Sequence, residues 1–126
     1  MKQEHSALVF KLILIVTALL TATLFITTLA STARTTGDEI VIIDVRTLDE
    51  WNAGHLVTAQ HLPLEQVAGS IETLVTDRDQ QVYVYCRSGN RSGQAKSIMN
   101  SLGFTKVTNA GGLGDASELL GIEITQ

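Results

Sequence analysis

The chain has 126 residues and a formal net charge of −4, which suits one small domain and disfavours binding to nucleic acid. Its single cysteine excludes an internal disulfide bond, and its three histidines lack the spacing typical of a metal site. Residues 12–30 are mostly apolar, with five threonines, and carry no charged side chain. We therefore expect an apolar N-terminal segment followed by one acidic domain, with no cofactor and no metal.

Residues 1–33 predict either a cleaved export signal or an N-terminal membrane anchor. Basic residues precede the apolar stretch, and Ser-Thr-Ala at positions 31–33 resembles a signal cleavage site. A helix over residues 12–30 would equally span most of a hydrocarbon core about 30 Å thick. Both alternatives expose the domain of residues 34–126 to the periplasm, either released there or held at the inner membrane.

The first half of this domain begins with a buried strand and a short helix. The β-branched run Ile40–Val45 predicts a strand that is buried on both faces. Thr47, followed three residues later by Glu50, predicts a helix that starts with a capping box, and Gly54 marks its end. The segment Thr58–Pro63 predicts a second, short strand.

In the second half, helical and extended patterns alternate. Apolar residues at helical spacing predict a helix over residues 64–75, and Val82–Tyr85 predicts a strand. A second amphipathic helix ends near Gly103. Phe104–Ala110 predicts another strand, and a glycine-rich turn then leads into a short helix. This alternation indicates an α/β fold with a central parallel sheet of four to five strands and helices on both faces, preceded by the N-terminal apolar helix.

Cys86 ends the predicted strand Val82–Tyr85, at the edge of a parallel sheet where ligands bind. The segment Cys86–Arg91 contains Gly and Asn, which tolerate positive φ, so its N–H groups can point toward one centre. The next helix N-terminus and two arginines, Arg87 and Arg91, add positive charge. These groups favour a thiolate and would also bind a small oxyanion. The alternative is a buried, inert cysteine.

Three segments taken together resemble the rhodanese family of sulfurtransferases. They are IIDVRTLDEWNAGHL, VYVYCRSGNRSGQA and NAGGL, in that order, within residues 41–120. The resemblance implies that Cys86 attacks the outer sulfur of thiosulfate, releases sulfite and holds the sulfur as a persulfide. It also implies two small-molecule partners: an anionic sulfur donor such as thiosulfate or a persulfide, and an acceptor such as cyanide or a thiol.

The resemblance implies roles for further residues. The donor-binding ring would consist of Arg87, Ser88, Gly89, Asn90, Arg91 and Ser92. Structural support of the site would come from Asp44, Arg46, His55, Gly111 and Gly112. This chain departs from the family at Val57 and Thr58, where Pro and Gly are usual, so the turn there is expected to differ in shape. The oligomeric state is not predicted.

Three other functions stay open at this point. A sulfur carrier or binding module would hold the persulfide for a partner with little turnover. A cysteine-dependent phosphatase or arsenate reductase would need a loop with arginine six residues after the cysteine, where this chain has Ser92. The shorter spacing to Arg91 favours sulfur over the bulkier phosphate. A scaffold with an inert cysteine would lack the three motifs.

Overall fold

The computed structural model describes residues 5–17 and 39–126. The chain divides into two compact units, Met1–Thr36 and Gly37–Gln126. In the first unit, residues 5–17 form helix α1, while residues 18–33 of the predicted signal or anchor lie outside the described residues. None of the described helices combines the length and the apolar character needed to cross a bilayer.

The second unit alternates strands and helices, as predicted. In chain order they are β1 (Val41–Asp44), α2 (Leu48–Asn52), β2 (His55–Leu56), β3 (Gln60–His61), α3 (Leu64–Leu74), β4 (Val82–Cys86), α4 (Asn90–Ser101), β5 (Val107–Gly112), α5 (Leu113–Leu120) and β6 (Ile124–Thr125). Helix α2 begins with the predicted capping box, because Thr47 and Glu50 bond each other's backbone N–H groups. It ends at Asn52, two residues before Gly54.

Four of these strands form a parallel sheet in the order β3-β1-β4-β5. The predicted parallel sheet is therefore confirmed with four strands. Val41 pairs with Val82 and Asp44 with Tyr85, so β1 and β4 end side by side. The carboxyl ends of parallel strands meet at one edge, and this register brings Cys86 to the same edge as the residues that follow Asp44.

Helices cover both faces of the sheet, as the continuous apolar strands predict. Neighbouring residues of β1 point to opposite sides: Ile43 packs in a core with α3 and α4, and Ile42 in a core with α5. Helix α4 buries Ala95 and Met99, which lie four positions apart on one face, as expected for the predicted amphipathic helix. The strand carrying Cys86 is thus fixed from both sides.

A second, two-stranded antiparallel sheet joins β2 and β6. The sequence did not predict it, because two-residue strands carry almost no periodic signal. The residue that precedes β2, Gly54, must be a glycine. Its φ is +142°, and a Cβ there would lie 3.1 Å from the carbonyl oxygen of Thr125.

The turn at Val57 and Thr58 is free of backbone strain. The N–H of Ala59 donates to the carbonyl oxygen of Leu56 at 2.9 Å, which closes a four-residue turn. Every positive φ in the described residues belongs to a glycine, so Thr58 adopts an ordinary conformation. The replacement of the usual Pro-Gly pair is therefore accommodated.

Candidate active site

Cys86 is the last residue of β4, and its side chain is buried, with 1% of its surface exposed. Its Sγ atom accepts hydrogen bonds from the N–H of Gly89 at 3.0 Å and from the hydroxyl of Ser92 at 3.4 Å. Helix α4 starts at Asn90, so the true linker is shorter than the predicted segment Cys86–Arg91. Gly89 makes the short linker possible because it adopts a φ of +91°.

These contacts favour the thiolate form of Cys86. Burial alone would raise the pKa of the thiol, but hydrogen bonds from the Ser92 hydroxyl and from the N–H groups of Ser92, Ser88 and Gly89 outweigh it. The net effect lowers the pKa of Cys86 to about 7. A large share of the cysteine is therefore ionised near neutral pH, and a thiolate is the nucleophilic form.

The two arginines of the site have different surroundings. Arg91 lies in the first turn of α4 and binds Glu50 through both guanidinium nitrogens, at 2.7 and 2.8 Å. This bond is the main reason why the pKa of Glu50 falls to about 2. Arg87 is exposed, and its guanidinium forms no hydrogen bond or salt bridge within the described part of the chain. Arg87 is therefore a cation next to Cys86 in the chain that has no acidic partner among the described residues.

The remaining residues of the predicted ring contribute in different ways. Ser92 is fully buried, and its hydroxyl lies 2.7 Å from Oδ1 of Asn109 as well as near Cys86. Ser88 is exposed and acts on the sulfur through its N–H group. Asn90 accepts a hydrogen bond from the side chain of Gln94 at 2.7 Å. The sulfur is therefore held by backbone N–H groups and one hydroxyl.

Asp44 and Arg46 form a buried ion pair at the end of β1. The carboxylate accepts bonds from the backbone N–H, Nε and Nη2 of Arg46, the shortest at 2.6 Å. Nη2 of Arg46 also donates to the carbonyl oxygen of Gly54 at 2.6 Å. Burial alone would lower the pKa of Arg46, but the bond and charge of Asp44 raise it. The pair fixes the strand end and the segment after α2.

His55 follows Gly54, whose carbonyl oxygen binds Arg46, and it contacts the indole ring of Trp51 on α2. Its ring stacks on Trp51 with centroids 3.4 Å apart, and its Nδ1 lies 3.0 Å from the carbonyl oxygen of Trp51. His61 stacks on Trp51 at 5.0 Å and lies 2.9 Å from the carbonyl oxygen of Arg46. These contacts link α2 to the ends of β1 and β3.

Gly111 and Gly112 belong to the end of β5, where the sequence predicted a turn. Gly111 has a φ of +79°, and a Cβ on Gly112 would lie only 2.6 Å from the carbonyl oxygen of Arg87. The N–H of Gly112 donates to Asp115 of α5 at 2.8 Å. The absence of side chains at these glycines lets β5 approach the Cys86 loop closely.

Two residues of the site escaped the sequence-based assignment. Glu50 was assigned to the capping box and not to the site, and Asn109 was part of the NAGGL motif without a role. A signal was available for Asn109: it is a polar residue on a strand, two positions before a glycine pair, at the sheet edge that holds the cysteine. No comparable signal marked Glu50, because its partner Arg91 lies 41 positions away. No group of three potential metal ligands occurs among the described residues.

Comparisons with known proteins agree on one family. The model of the rhodanese-like domain matches residues 29–114. Thiosulfate sulfurtransferase PspE of Escherichia coli (strain K12) is 45% identical over 73 residues, which are 58% of this chain and 70% of that protein. Putative sulfur carrier protein YrkF of Bacillus subtilis (strain 168) is 33% identical over 72 residues, 57% of this chain and 38% of that protein. A solved structure of a rhodanese with anions from E. coli has a TM-score of 0.64 and 38% identity, and the match covers 70% of this chain and 99% of that one.

Proposed function

The chain belongs to the rhodanese family, and from this premise we propose that it is a thiosulfate sulfurtransferase that works through a persulfide on Cys86. The family and its thiosulfate sulfurtransferase relatives support sulfurtransferase activity in general. The observation that carries the specific proposal is the setting of Cys86, a buried sulfur with a pKa of about 7 and several hydrogen-bond donors.

In the proposed first step, the Cys86 thiolate attacks the outer sulfur of thiosulfate. A bond forms between Sγ and that sulfur, and the S–S bond of thiosulfate breaks. Sulfite leaves with the electron pair, so the negative charge of the thiolate reappears on the outer sulfur of the persulfide. No proton, oxidant or reductant is consumed. The step requires a thiolate and groups that stabilise an anion, and both are available around Cys86.

Arg87 is proposed as the main charged contact for the thiosulfate oxygens. Arg87 directly follows Cys86 in the chain and is exposed, whereas the guanidinium of Arg91 is bound to Glu50. Arg91 is proposed to contribute a second, weaker interaction that depends on its release from Glu50. The N–H groups of Ser88 and Gly89 would stabilise the anionic outer sulfur of the persulfide in the same way as they stabilise the thiolate.

In the proposed second step, an acceptor removes the sulfur and regenerates the thiolate. The chain has a single cysteine, so it offers no internal thiol to receive this sulfur. The acceptor must therefore be another molecule, such as a small thiol or, in an assay, cyanide. Attack by the acceptor on the outer sulfur returns the electron pair to Sγ.

A sulfur carrier is the second candidate, favoured by the similarity to the putative sulfur carrier protein YrkF. A carrier would form the same persulfide but would deliver it slowly until a specific protein partner binds. The two candidates share the first step and differ in turnover. Steady-state formation of thiocyanate from thiosulfate and cyanide separates them, since only an enzyme gives many turnovers per Cys86.

We also propose that residues 1–33 direct the domain to the periplasm, because the basic, apolar and small-residue parts follow one another in the order of an export signal. N-terminal sequencing of the exported protein tests this proposal. A terminus at Arg34 supports cleavage. A terminus at Met1 in the membrane fraction supports an anchor, and a full-length chain in the cytoplasm contradicts export.

The proposed persulfide is tested by mass measurement of the intact, full-length protein after incubation with thiosulfate. We expect one added sulfur atom, removed by cyanide with release of thiocyanate. Cys86→Ser, which changes only the nucleophile, is expected to take up none. A wild-type protein that gains no sulfur would contradict both the enzyme and the carrier.

A further inference from the structure

The side chain of Asn109 connects two groups that surround the sulfur of Cys86. Its Nδ2 donates to the carbonyl oxygen of Gly89 at 2.9 Å, and its Oδ1 accepts from the hydroxyl of Ser92 at 2.7 Å. The same oxygen accepts from the N–H of Gly111 at 3.0 Å. Asn109 reaches this position where β5 carries an extra residue, since Val84 pairs with Asn109 but Cys86 pairs with Gly112.

The Ser92 hydroxyl has one proton and two acceptors. It lies 2.7 Å from Oδ1 of Asn109 and 3.4 Å from Sγ of Cys86, and it can donate to only one of them at a time. Ser92 is fully buried, so a hydroxyl without an acceptor would be unfavourable. The charge on the sulfur therefore decides where the proton points.

When Cys86 is a thiolate, the hydroxyl gains most by donating to the charged sulfur. When the sulfur is a neutral thiol, the hydroxyl gains more from Oδ1 of Asn109, and its oxygen can then accept the S–H proton. We propose that Asn109 is a positioning residue that holds the Ser92 hydroxyl proton whenever Sγ of Cys86 bears no negative charge. Asn109 keeps the N–H of Gly111 as a partner when the hydroxyl turns away.

Asn109 has the same role in the persulfide that forms during the reaction, and this extension rests on the proposed sulfurtransferase function. In the persulfide, the negative charge lies on the outer sulfur and Sγ is a neutral bridging atom. The Ser92 hydroxyl then turns to Asn109, and it returns to Sγ when the acceptor removes the sulfur. Asn109 thus stabilises the thiol and the persulfide relative to the free thiolate, through Ser92 and without contact with the reacting atoms.

Several charged groups lie on the elements around Cys86, and none of them takes part in this exchange. They are Arg87 in the loop, Arg91 on α4, Glu50 on α2, Asp44 and Arg46 at the end of β1, and Asp115 on α5. Substitution of Asn109 by the similarly sized, apolar Leu changes none of these charges. A change in the titration of Cys86 therefore reports on the hydrogen bonds.

The test measures the rate of Cys86 alkylation by iodoacetamide against pH in four full-length proteins: the wild type, Asn109→Leu, Ser92→Ala and the double variant. Asn109→Leu leaves the hydroxyl with Sγ as its remaining acceptor, so we expect the midpoint to fall by roughly 0.5–1 pH unit. Ser92→Ala removes a donor to the thiolate, so its midpoint rises. The double variant is expected to match Ser92→Ala. Asn100→Leu, the same exchange at an exposed site on α4, serves as the control and is expected to leave the midpoint unchanged.

General damage to the loop would give the opposite sign, because loosened N–H groups stabilise the thiolate less. A midpoint that rises or stays unchanged in Asn109→Leu would overturn the proposal. So would a fall that persists in the Ser92→Ala background, since the effect would then run through Gly89. Thermal unfolding of each variant identifies any that do not fold, and for such a variant Asn109→Val and Ser92→Gly repeat the comparison.

Sulfur loading supplies a readout that separates this proposal from the proposed function. At a fixed ratio of thiosulfate to sulfite, Asn109→Leu is expected to hold roughly 3–10-fold less persulfide than the wild type. Equal loading would overturn the role in the persulfide. If the wild type takes up no sulfur at all, the sulfurtransferase function fails, while the order of the alkylation midpoints still tests the role of Asn109 in the thiol.

Discussion

Two neighbouring strand ends at one edge of the sheet differ in how their charged groups are stabilised. At the end of β1, Asp44 and Arg46 form a buried pair of permanent, opposite charges, held by bonds as short as 2.6 Å. At the end of β4, the sulfur of Cys86 is surrounded by neutral donors, namely N–H groups and the Ser92 hydroxyl. A permanent ion pair such as Asp44 and Arg46 is suited to stabilising the fold. Neutral donors suit a group whose charge appears and disappears, because no buried charge is left unpaired when the thiolate reacts.

This difference also explains how an acid can lie near a thiolate. A free carboxylate beside Cys86 would oppose its ionisation. Arg46 binds the Asp44 carboxylate through three nitrogen atoms, and Arg91 binds the Glu50 carboxylate through two. Asp44 and Glu50 are therefore each paired with an arginine, whereas Arg87 has no acidic partner among the described residues.

We expect the largest effect on stability when the ion pair between Asp44 and Arg46 is removed. Asp44→Asn leaves the buried guanidinium of Arg46 without its counter-charge and should lower the free energy of unfolding by about 3–5 kcal/mol. Glu72→Gln is the matched control, because it removes one charge from the exposed pair with Arg78 and should lower that free energy by less than about 1 kcal/mol. Urea unfolding measures both. A similar loss of unfolding free energy in the two variants would show that the buried pair of Asp44 and Arg46 does not stabilise the fold more than an exposed pair does.

The next effect concerns the close approach of β5 to the Cys86 loop. Gly112→Ala places a Cβ against the carbonyl oxygen of Arg87, so it should destabilise the protein by about 1–3 kcal/mol and slow sulfur uptake. Gly114→Ala is the control on the following helix, since no atom other than its chain neighbours and the adjacent helix backbone lies within 4 Å of its added Cβ. Urea unfolding and the rate of sulfur uptake are the measurements. Normal uptake in Gly112→Ala would mean that the loop tolerates displacement.

A third experiment separates the two arginines. Arg87→Ala removes a cation that has no acidic partner among the described residues, and it should raise the KM for thiosulfate roughly tenfold, or about 1.4 kcal/mol. Arg91→Ala should raise it less, because this guanidinium is already bound to Glu50. Lys96→Ala on the same helix controls for a general loss of positive charge. A larger rise for Arg91→Ala than for Arg87→Ala would reverse the proposed roles.

The smallest effect is expected for Glu50. Folding lowers its pKa to about 2, so the pair with Arg91 stabilises the protein above the unfolded-state pKa of about 4.3 and loses this contribution as the pH falls toward 2. Glu50→Gln should lower the free energy of unfolding by about 1 kcal/mol at pH 7. Urea unfolding across this pH range should show the difference shrinking below about pH 4. A difference that is independent of pH would show that charge pairing is not its cause.

Features that depend on local chemistry were predictable from the sequence. The β-branched run of β1 requires burial on both faces, and the pair Thr47 and Glu50 forms its capping box within one helical turn. Strands that alternate with helices imply a parallel sheet, and this placed Cys86 at its carboxyl edge.

Features that depend on distant partners were not predictable. Glu50 pairs with Arg91 across 41 positions, and Ser92 bonds Asn109 across 17. A charge or an amide has many possible partners before the chain folds, so its residue type alone does not select one. The start of α4 at Asn90 was also missed, because Gly89 permits both a longer loop and the observed left-handed cap.

The pH dependence of sulfur loading tests the central claim most directly, namely that Cys86 accepts sulfur as a thiolate stabilised by neutral donors. Intact full-length protein is exposed to thiosulfate for a short, fixed time at a series of pH values, and the fraction carrying one added sulfur is measured by mass. The lowered pKa of Cys86 predicts half-maximal loading near pH 7. Loading that begins only where an unperturbed thiol ionises, about pH 8.5, would contradict this account.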